Sequence, residues 1–126
     1  MNKLQLSFFL ILNIFAFTNS YSQVNQYPKY RVQFTDKNNT PYSLTNPQEY
    51  LSEKAIERRI KHNISIDSTD IPVNQTYINT LLNIDKESIT FMHSSKWFNS
   101  ITIALADTNL LSQIENLQFV KGVERT

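Results

Sequence analysis

Histidine, serine and paired acidic side chains are the groups of this chain that could do acid–base, nucleophilic or metal chemistry. The only histidines are His62 and His93, and there is no cysteine. Neither histidine has a carboxylate at the spacing of a metal site, so we expect no metal. Asp67 and Asp70 fall in a loop rich in Ser, Asp and Thr, where solvated turn residues are the usual interpretation.

Nucleophilic and phosphate-binding motifs are also absent from the sequence. The single glycine, Gly122, rules out a Gly-x-Ser-x-Gly nucleophile elbow and the Gly-rich loops that hold nucleotide phosphates. A Ser–His–Asp triad needs a positioned base and an oxyanion site, and no motif supplies them. We therefore expect no catalytic residues and no cofactor, and we predict that the chain is not an enzyme.

The first 22 residues have the order of a secretory signal peptide. A short polar, basic start precedes a mostly apolar run at residues 4–17, and small residues follow in Ser20-Tyr21-Ser22. A transmembrane anchor is the alternative, but Asn13 interrupts the run, which is shorter than the ~20 residues of a span. We expect cleavage after Ser22, a secreted or periplasmic protein, and no membrane association after cleavage.

The chain that remains from Gln23 is electrically neutral. The sequence has 12 Lys and Arg against 11 Asp and Glu, and loss of Lys3 with the signal peptide makes the two equal. A nucleic-acid ligand requires a basic face, so we expect no nucleic-acid partner. Without disulfides, an exported domain of this size depends on its core or on a partner for stability.

After a polar leader at residues 23–29, the patterns predict one domain over residues 30–126. Predicted strands cover residues 30–35, 88–93, 97–106 and 118–124. Predicted helices cover residues 47–62 and 73–83 and a short segment after the N-cap Asp107. Omitting the short helix at 73–83 gives the order βαββαβ, which is the ferredoxin-like α+β fold, an antiparallel sheet with helices on one face. The other face is then free to stay solvated or to bind a partner.

Two of the predicted strands each divide their side chains between the two faces of the sheet. In the strand at 97–106, the odd positions starting with Trp97 form the core face, and the even positions form a flat, half-polar face with one exposed aromatic, Phe98. In the strand at 88–93, His93 lies on the same face as Ile89, at the edge of the core.

The helix at 47–62 carries Leu51, Ala55, Ile56 and Ile60 on one side, and we expect this helix to cover the back of the sheet. Arg59 projects into the middle of that apolar stripe. One interpretation is a snorkelling arginine whose stem covers the core edge, and we favour it. The other is a buried ion pair that fixes a loop.

Four stretches of the chain resemble a known family. The likeness runs over about residues 30–125 to the N-terminal prodomain of secreted subtilisin-like serine proteases of the Bacteroidetes type. The stretches are Tyr30-Arg31-Val32-Gln33-Phe34-Thr35-Asp36-Lys37, Leu51-Ser52-Glu53-Lys54-Ala55-Ile56-Glu57-Arg58-Arg59, Ser95-Lys96-Trp97-Phe98-Asn99 and Phe119-Val120-Lys121-Gly122-Val123-Glu124.

The resemblance implies a ferredoxin-like inhibitor and intramolecular chaperone. Its open sheet face covers the protease catalytic domain, in cis or in trans, and its C-terminal tail lies in the substrate cleft like a product. No Asp, His or Ser motif of a catalytic domain occurs in the chain, so a truncated gene product is one interpretation. The docking residues expected on this basis are Phe98, Ser100, Thr102, Glu124, Arg125 and Thr126.

Two other functions compete with this one. A stand-alone secreted interaction module would use the same open face for another protein and would fold stably by itself. An acylphosphatase-like hydrolase would need an anion-binding loop of backbone N–H groups beside an arginine, and the sequence offers no such loop.

Overall fold

The computed structural model of the chain describes residues 27–126. The predicted signal peptide and residues 23–26 of the predicted leader lie outside this range. The described part contains four strands, three α-helices and two short 3₁₀ helices. In chain order they are β1 (Lys29–Phe34), a 3₁₀ helix (Pro47–Glu49), α1 (Glu53–Lys61), α2 (Gln75–Leu82), β2 (Ile89–Ser95), β3 (Ser100–Leu105), a 3₁₀ helix (Thr108–Leu110), α3 (Leu111–Glu115) and β4 (Val120–Arg125).

The strands form one sheet in the order β2-β3-β1-β4, and every neighbouring pair is antiparallel. Because β1 and β2 both run antiparallel to β3, which lies between them, they run parallel to each other. By the same argument β3 and β4 are parallel and are separated by β1. The chain therefore forms two interlocked strand–helix–strand units, each split by a strand of the other. The predicted four-stranded antiparallel sheet is confirmed.

The core lies on one side of this sheet. Alternation along the two central strands directs Tyr30, Val32 and Phe34 of β1 and Ile101, Ile103 and Leu105 of β3 into it. Helices α2 and α3 cover this side through Ile78, Leu81 and Ile114, all of which are buried. Each fully buried aliphatic side chain contributes about 1.5–3 kcal/mol to folding, so α2 and α3 fix the side of the sheet that is closed to solvent.

Helix α1 does not cover the sheet, and the expectation that it does was wrong. The helix begins after the N-cap Ser52, whose hydroxyl accepts a hydrogen bond from the Ala55 amide at 3.3 Å. None of its residues is buried, and Ile60 is 71% exposed. Six of its nine residues are charged, so its apolar stripe is too narrow to replace α2. The shorter helix that the predicted order left out is the one that packs on the core.

Strand β3 begins later than predicted. Residues 96–99 form the turn of the β2–β3 hairpin, so Trp97 and Phe98 lie at its tip, where they are 66% and 63% exposed. The prediction of Trp97 as a core residue was wrong, whereas Phe98 is exposed as expected. Asn99 closes the turn with φ 46°, a left-handed conformation that Asn tolerates better than most residues.

Within residues 27–126, no helix has the length and apolar character needed to cross a bilayer.

Candidate functional site

The face of the sheet opposite the core is polar, and none of the helices within residues 27–126 packs on it. We call it the open face. Lys29, Arg31 and Gln33 of β1 point to it, because they alternate with the buried core residues of that strand. The register places Thr102 of β3 opposite Arg31 and Ser100 opposite Gln33. The open face is therefore built from charged and hydroxyl side chains of the two central strands and their neighbours.

A groove with a volume of about 610 Å³ runs over the open face. Phe98 stands at its border, at the hairpin tip. Four of the six expected docking residues line this one groove. Its lining includes Lys29, Arg31, His93, Phe98, Ser100, Thr102 and Thr126.

The floor of the groove consists of hydroxyl groups on the central strand β3. Ser100 and Thr102 are only 2% and 8% exposed, because larger side chains on the adjacent strands shield them. Thr102 Oγ1 and His93 Nε2 share a hydrogen bond of 3.1 Å. The floor is thus a polar surface that is nearly closed to solvent.

His93 lies on the open face. The alternation in the sequence had placed it at the core edge, and that prediction was wrong. The register between β2 and β3 pairs Phe91 with Ile103 and His93 with Thr102, so Met92 is an extra residue at a β-bulge. A bulge inserts one residue and reverses the faces of the residues that follow it. This single insertion brings the imidazole to Thr102.

The C-terminal residues divide between the two faces. Glu124 is opposite Arg31 and forms an ion pair with it on the open face. Both side chains are exposed, so the pair contributes little to stability. Arg125 is opposite Tyr30, a core-side residue, and the register therefore places it on the other side of the sheet. The Thr126 amide donates to the Lys29 carbonyl at 3.0 Å, which keeps the chain end beside the groove.

A second polar cluster, centred on Lys37, contacts the turn of the β2–β3 hairpin. The Lys37 ammonium donates to the carbonyl oxygens of Ile71 at 2.6 Å, Lys96 at 2.7 Å, Ser68 at 2.9 Å and Thr69 at 3.3 Å. Burial, and after it the nearby Lys96 ammonium, lowers the pKa of Lys37. The carboxylates of Asp70 and Asp67 oppose this effect, because a nearby negative charge favours the protonated ammonium. Lys37 thus joins the 68–71 loop to the hairpin turn.

Asp70 supplies the buried negative charge of this cluster. Its side chain is fully buried, and it accepts hydrogen bonds from the Arg59 guanidinium and from the Asp67 amide. Lys96 Nζ is 4.0 Å from Asp70 Oδ1. Arg59 also donates to the Ser65 carbonyl at 3.2 Å. The interpretation of Arg59 as an ion pair that fixes a loop is confirmed, and the snorkelling interpretation and the solvated Asp70 were wrong.

Asn99 ties the turn to the end of β1. Its side-chain amide donates to the carbonyl oxygens of Phe34 at 3.2 Å and Asp36 at 2.8 Å, and its own carbonyl accepts from the Phe34 amide at 2.8 Å. Together with the Lys37 hydrogen bonds, these bonds hold the backbone of the turn that carries Trp97 and Phe98. Ordering a loop before binding reduces the entropy that a partner must overcome.

Asp36 anchors the start of the same connection. It accepts hydrogen bonds from the Asn38 amide at 2.8 Å and from the Tyr77 hydroxyl at 2.9 Å. The Asn38 bond, followed by the Tyr77 bond, lowers the pKa of Asp36, and the same contact raises the pKa of Tyr77. Asp36 and Lys37 both belong to the first family-like stretch, but a charged pair in a turn carries no sequence signal that separates it from solvated residues.

In the part of the chain that the structure describes, no three His, Asp or Glu side chains are grouped so that they could hold a metal ion. The polar clusters of the described residues are instead paired internally, as around Lys37 and Asp70, or line the groove of the open face.

Comparison with known proteins identifies the family. Residues 29–126 match the family model of the peptidase S8 propeptide domain of the Bacteroidota. No curated protein and no solved structure matches the chain. Because the family model covers most of the chain, including all four strands and all three α-helices, the chain belongs to the peptidase S8 propeptide domain family of the Bacteroidota, the propeptides of subtilisin-like proteases.

Proposed function

We propose that the chain acts as a folding chaperone and inhibitor of a secreted subtilisin-like protease. It docks its open face and C-terminal tail on the catalytic domain, in cis or in trans, and contributes no catalytic residue itself. The docking residues are Phe98, Ser100, Thr102, Glu124, Arg125 and Thr126. Export by the N-terminal signal peptide places both partners outside the cytoplasm.

One observation carries the proposal. Among the described residues of this propeptide-family domain, no helix packs on the open face, and four of the docking residues chosen from the sequence line a single groove there. An open sheet face with an aromatic residue at its border is suited to a protein partner, because aromatic residues dominate the energetics of such interfaces. Arg125, on the other side of the sheet, takes part only through the tail.

We further propose that the fold is the ferredoxin-like split βαβ. The order β2-β3-β1-β4 and the two interlocked strand–helix–strand units support this assignment. In such an arrangement the two crossover helices lie on one side, which leaves the other side for docking.

Inhibition of a catalytic domain tests the docking face. The probes are catalytic domains of secreted Bacteroidota subtilisin-like proteases, assayed on a peptide substrate with increasing amounts of the purified chain. Phe98→Ala should raise the inhibition constant about tenfold or more, as expected for an aromatic anchor. Ile60→Ala is the matched control, since Ile60 is also a large exposed apolar residue but lies on α1, and it should change the constant less than about twofold.

Equal effects of the two substitutions would refute docking through the open face. If the unsubstituted chain inhibits none of the proteases and melts cooperatively by itself, the stand-alone interaction module becomes the better account.

A further inference from the structure

The groove on the open face is basic, although the described chain is neutral. The basic residues Lys29, Arg31 and His93 line it, and none of the described lining residues has an acidic side chain. Of the described residues on the open face, Glu124 is the acidic one; it does not line the groove, and its carboxylate is paired with Arg31, which does. The equal numbers of acidic and basic side chains after Lys3 are therefore distributed unevenly, with positive charge concentrated at the groove.

The groove floor adds neutral hydrogen-bond donors to this charge. Thr102 Oγ1 lies 3.1 Å from His93 Nε2, and in the tautomer with the proton on Nε2 the imidazole donates, which leaves the hydroxyl proton for another acceptor. Ser100 lies on the same strand two residues away. Hydroxyl donors that are shielded from water form stronger hydrogen bonds with an ionised acceptor than with a neutral one. A carboxylate fits this surface better than an amide or an ammonium group, because cations border the groove and hydroxyls form its floor.

We infer that the groove binds a carboxylate side chain of the protease catalytic domain, with Lys29 as its main cationic partner and Ser100 and Thr102 as hydrogen-bond donors. This inference rests on the proposed function, since it names the chemistry of the surface that the catalytic domain presents. Phe98, at the border of the groove, requires an apolar neighbour beside that carboxylate. Arg31 is shared with Glu124, so Lys29 carries most of the charge that is free for the partner.

The partner surface defined in this way is acidic with an apolar edge. Charge complementarity of this kind raises the association rate and makes affinity depend on salt. A docking surface that used only shape and apolar area would show neither effect.

Binding measurements with charge variants test the inference. The probes are catalytic domains of secreted Bacteroidota subtilisin-like proteases whose nucleophilic serine is replaced by alanine, so that they bind without cleaving. Lys29→Glu should weaken binding about tenfold or more at low salt, because it places like charges opposite each other. Lys86→Glu is the matched control: it makes the same change in net charge at an exposed position between α2 and β2, and we expect less than about a twofold effect.

Two further measurements keep the test decisive if Lys29→Glu fails to fold, which circular dichroism will reveal. Lys29→Gln should weaken binding about threefold and reduce the salt dependence of the dissociation constant. Thr102→Val, which keeps the side-chain shape, should weaken binding by a similar factor while Lys86→Glu does not.

The inference and the proposed function fail in different ways. If the unsubstituted chain binds a catalytic domain, but its affinity is independent of salt and unchanged by Lys29→Gln, the carboxylate site is wrong and the docking function stands. If the unsubstituted chain binds none of the catalytic domains, both are wrong.

Discussion

Replacement of Lys37 by methionine should destabilise the domain more than replacement of any exposed lysine. Methionine keeps the length and the apolar stem of the side chain but removes the ammonium group. The carbonyl oxygens of Ile71 and Lys96 then lose a charged donor in a partly buried cluster. The loop at 68–71 and the hairpin turn would then be joined only through weaker contacts, such as the 4.0 Å pair of Lys96 and Asp70.

The size of the effect follows from the bonds that are lost. Hydrogen bonds to charged groups contribute about 1.5–3 kcal/mol each. The bonds from Lys37 to Ile71 and Lys96 are partly buried and short, whereas those to Ser68 and Thr69 are exposed and contribute little. With the lower bound for each of the two buried bonds, we expect a loss of about 3 kcal/mol. Domains of this size are stable by only about 5–15 kcal/mol, so the effect is large.

Equilibrium unfolding in urea measures this loss. With a slope of about 1.5 kcal/mol per M, the unfolding midpoint of Lys37→Met should fall by about 2 M. Lys86→Met is the control, and its midpoint should stay within about 0.3 M of the unsubstituted chain. Equal midpoints for the two variants would refute the role of Lys37 as the link between the loop and the turn.

Three other results are expected. Leu81→Ala should lower the free energy of unfolding by about 2–5 kcal/mol, because Leu81 is fully buried under the sheet. Ile60→Ala should lower it by less than about 0.5 kcal/mol. Equal losses of stability in thermal unfolding would contradict the assignment of α2 as the covering helix. The domain should lose stability as the pH falls below about 4, because the folded-state pKa of Asp36 is lowered from its ordinary value of 3.8. The stabilisation that is present above this value is lost as the pH falls through the lower, folded-state pKa. In urea unfolding between pH 2 and pH 6, the free energy of unfolding of Asp36→Asn should depend less on pH than that of the unsubstituted chain, and an unchanged pH dependence would count against this account. Tyr77→Phe should raise the pKa of Asp36 towards its ordinary value, since it removes one of the hydrogen bonds that lower it, and carboxyl chemical shifts in a pH titration measure this directly.

The strands at the centre of the sheet were predictable because their pattern is strict. Tyr30, Val32 and Phe34 alternate with polar residues, and alternation at period two is the signature of a strand with one buried face. Ile101, Ile103 and Leu105 alternate in the same way and are buried as expected. The polar face of β3 was predicted too, but its burial was not, because shielding by neighbouring strands does not depend on the residue's own type.

The positions of the helices were less predictable. An amphipathic pattern shows that one side of a helix is apolar, but it does not show what that side contacts. Helix α1 has a clear pattern but buries none of its own residues, whereas α2 is shorter and closes the core with Ile78 and Leu81. The ion pair of Arg59 and Asp70 joins a helix to a loop. No fixed sequence spacing, such as the i,i+4 spacing within a helix, therefore predicts it.

Two details of the site depend on single residues that a pattern cannot locate. The extra residue Met92 reverses the faces of β2 and brings His93 to the open face. The turn ends at Asn99 rather than at Lys96, which moves Trp97 from the expected core to the hairpin tip. A periodic pattern continues through both places, because a bulge and a four-residue turn change the register without changing the residue types around them.

Refolding of a denatured catalytic domain tests the central claim most directly. A subtilisin-like catalytic domain of a secreted Bacteroidota protease is denatured in guanidinium chloride and diluted with and without the purified chain. The account predicts that the chain increases the yield of folded catalytic domain up to a one-to-one ratio, and that excess chain then inhibits its activity. If the chain changes neither the refolding yield nor the activity of any catalytic domain tested, the account of the chain as a chaperone and inhibitor is contradicted.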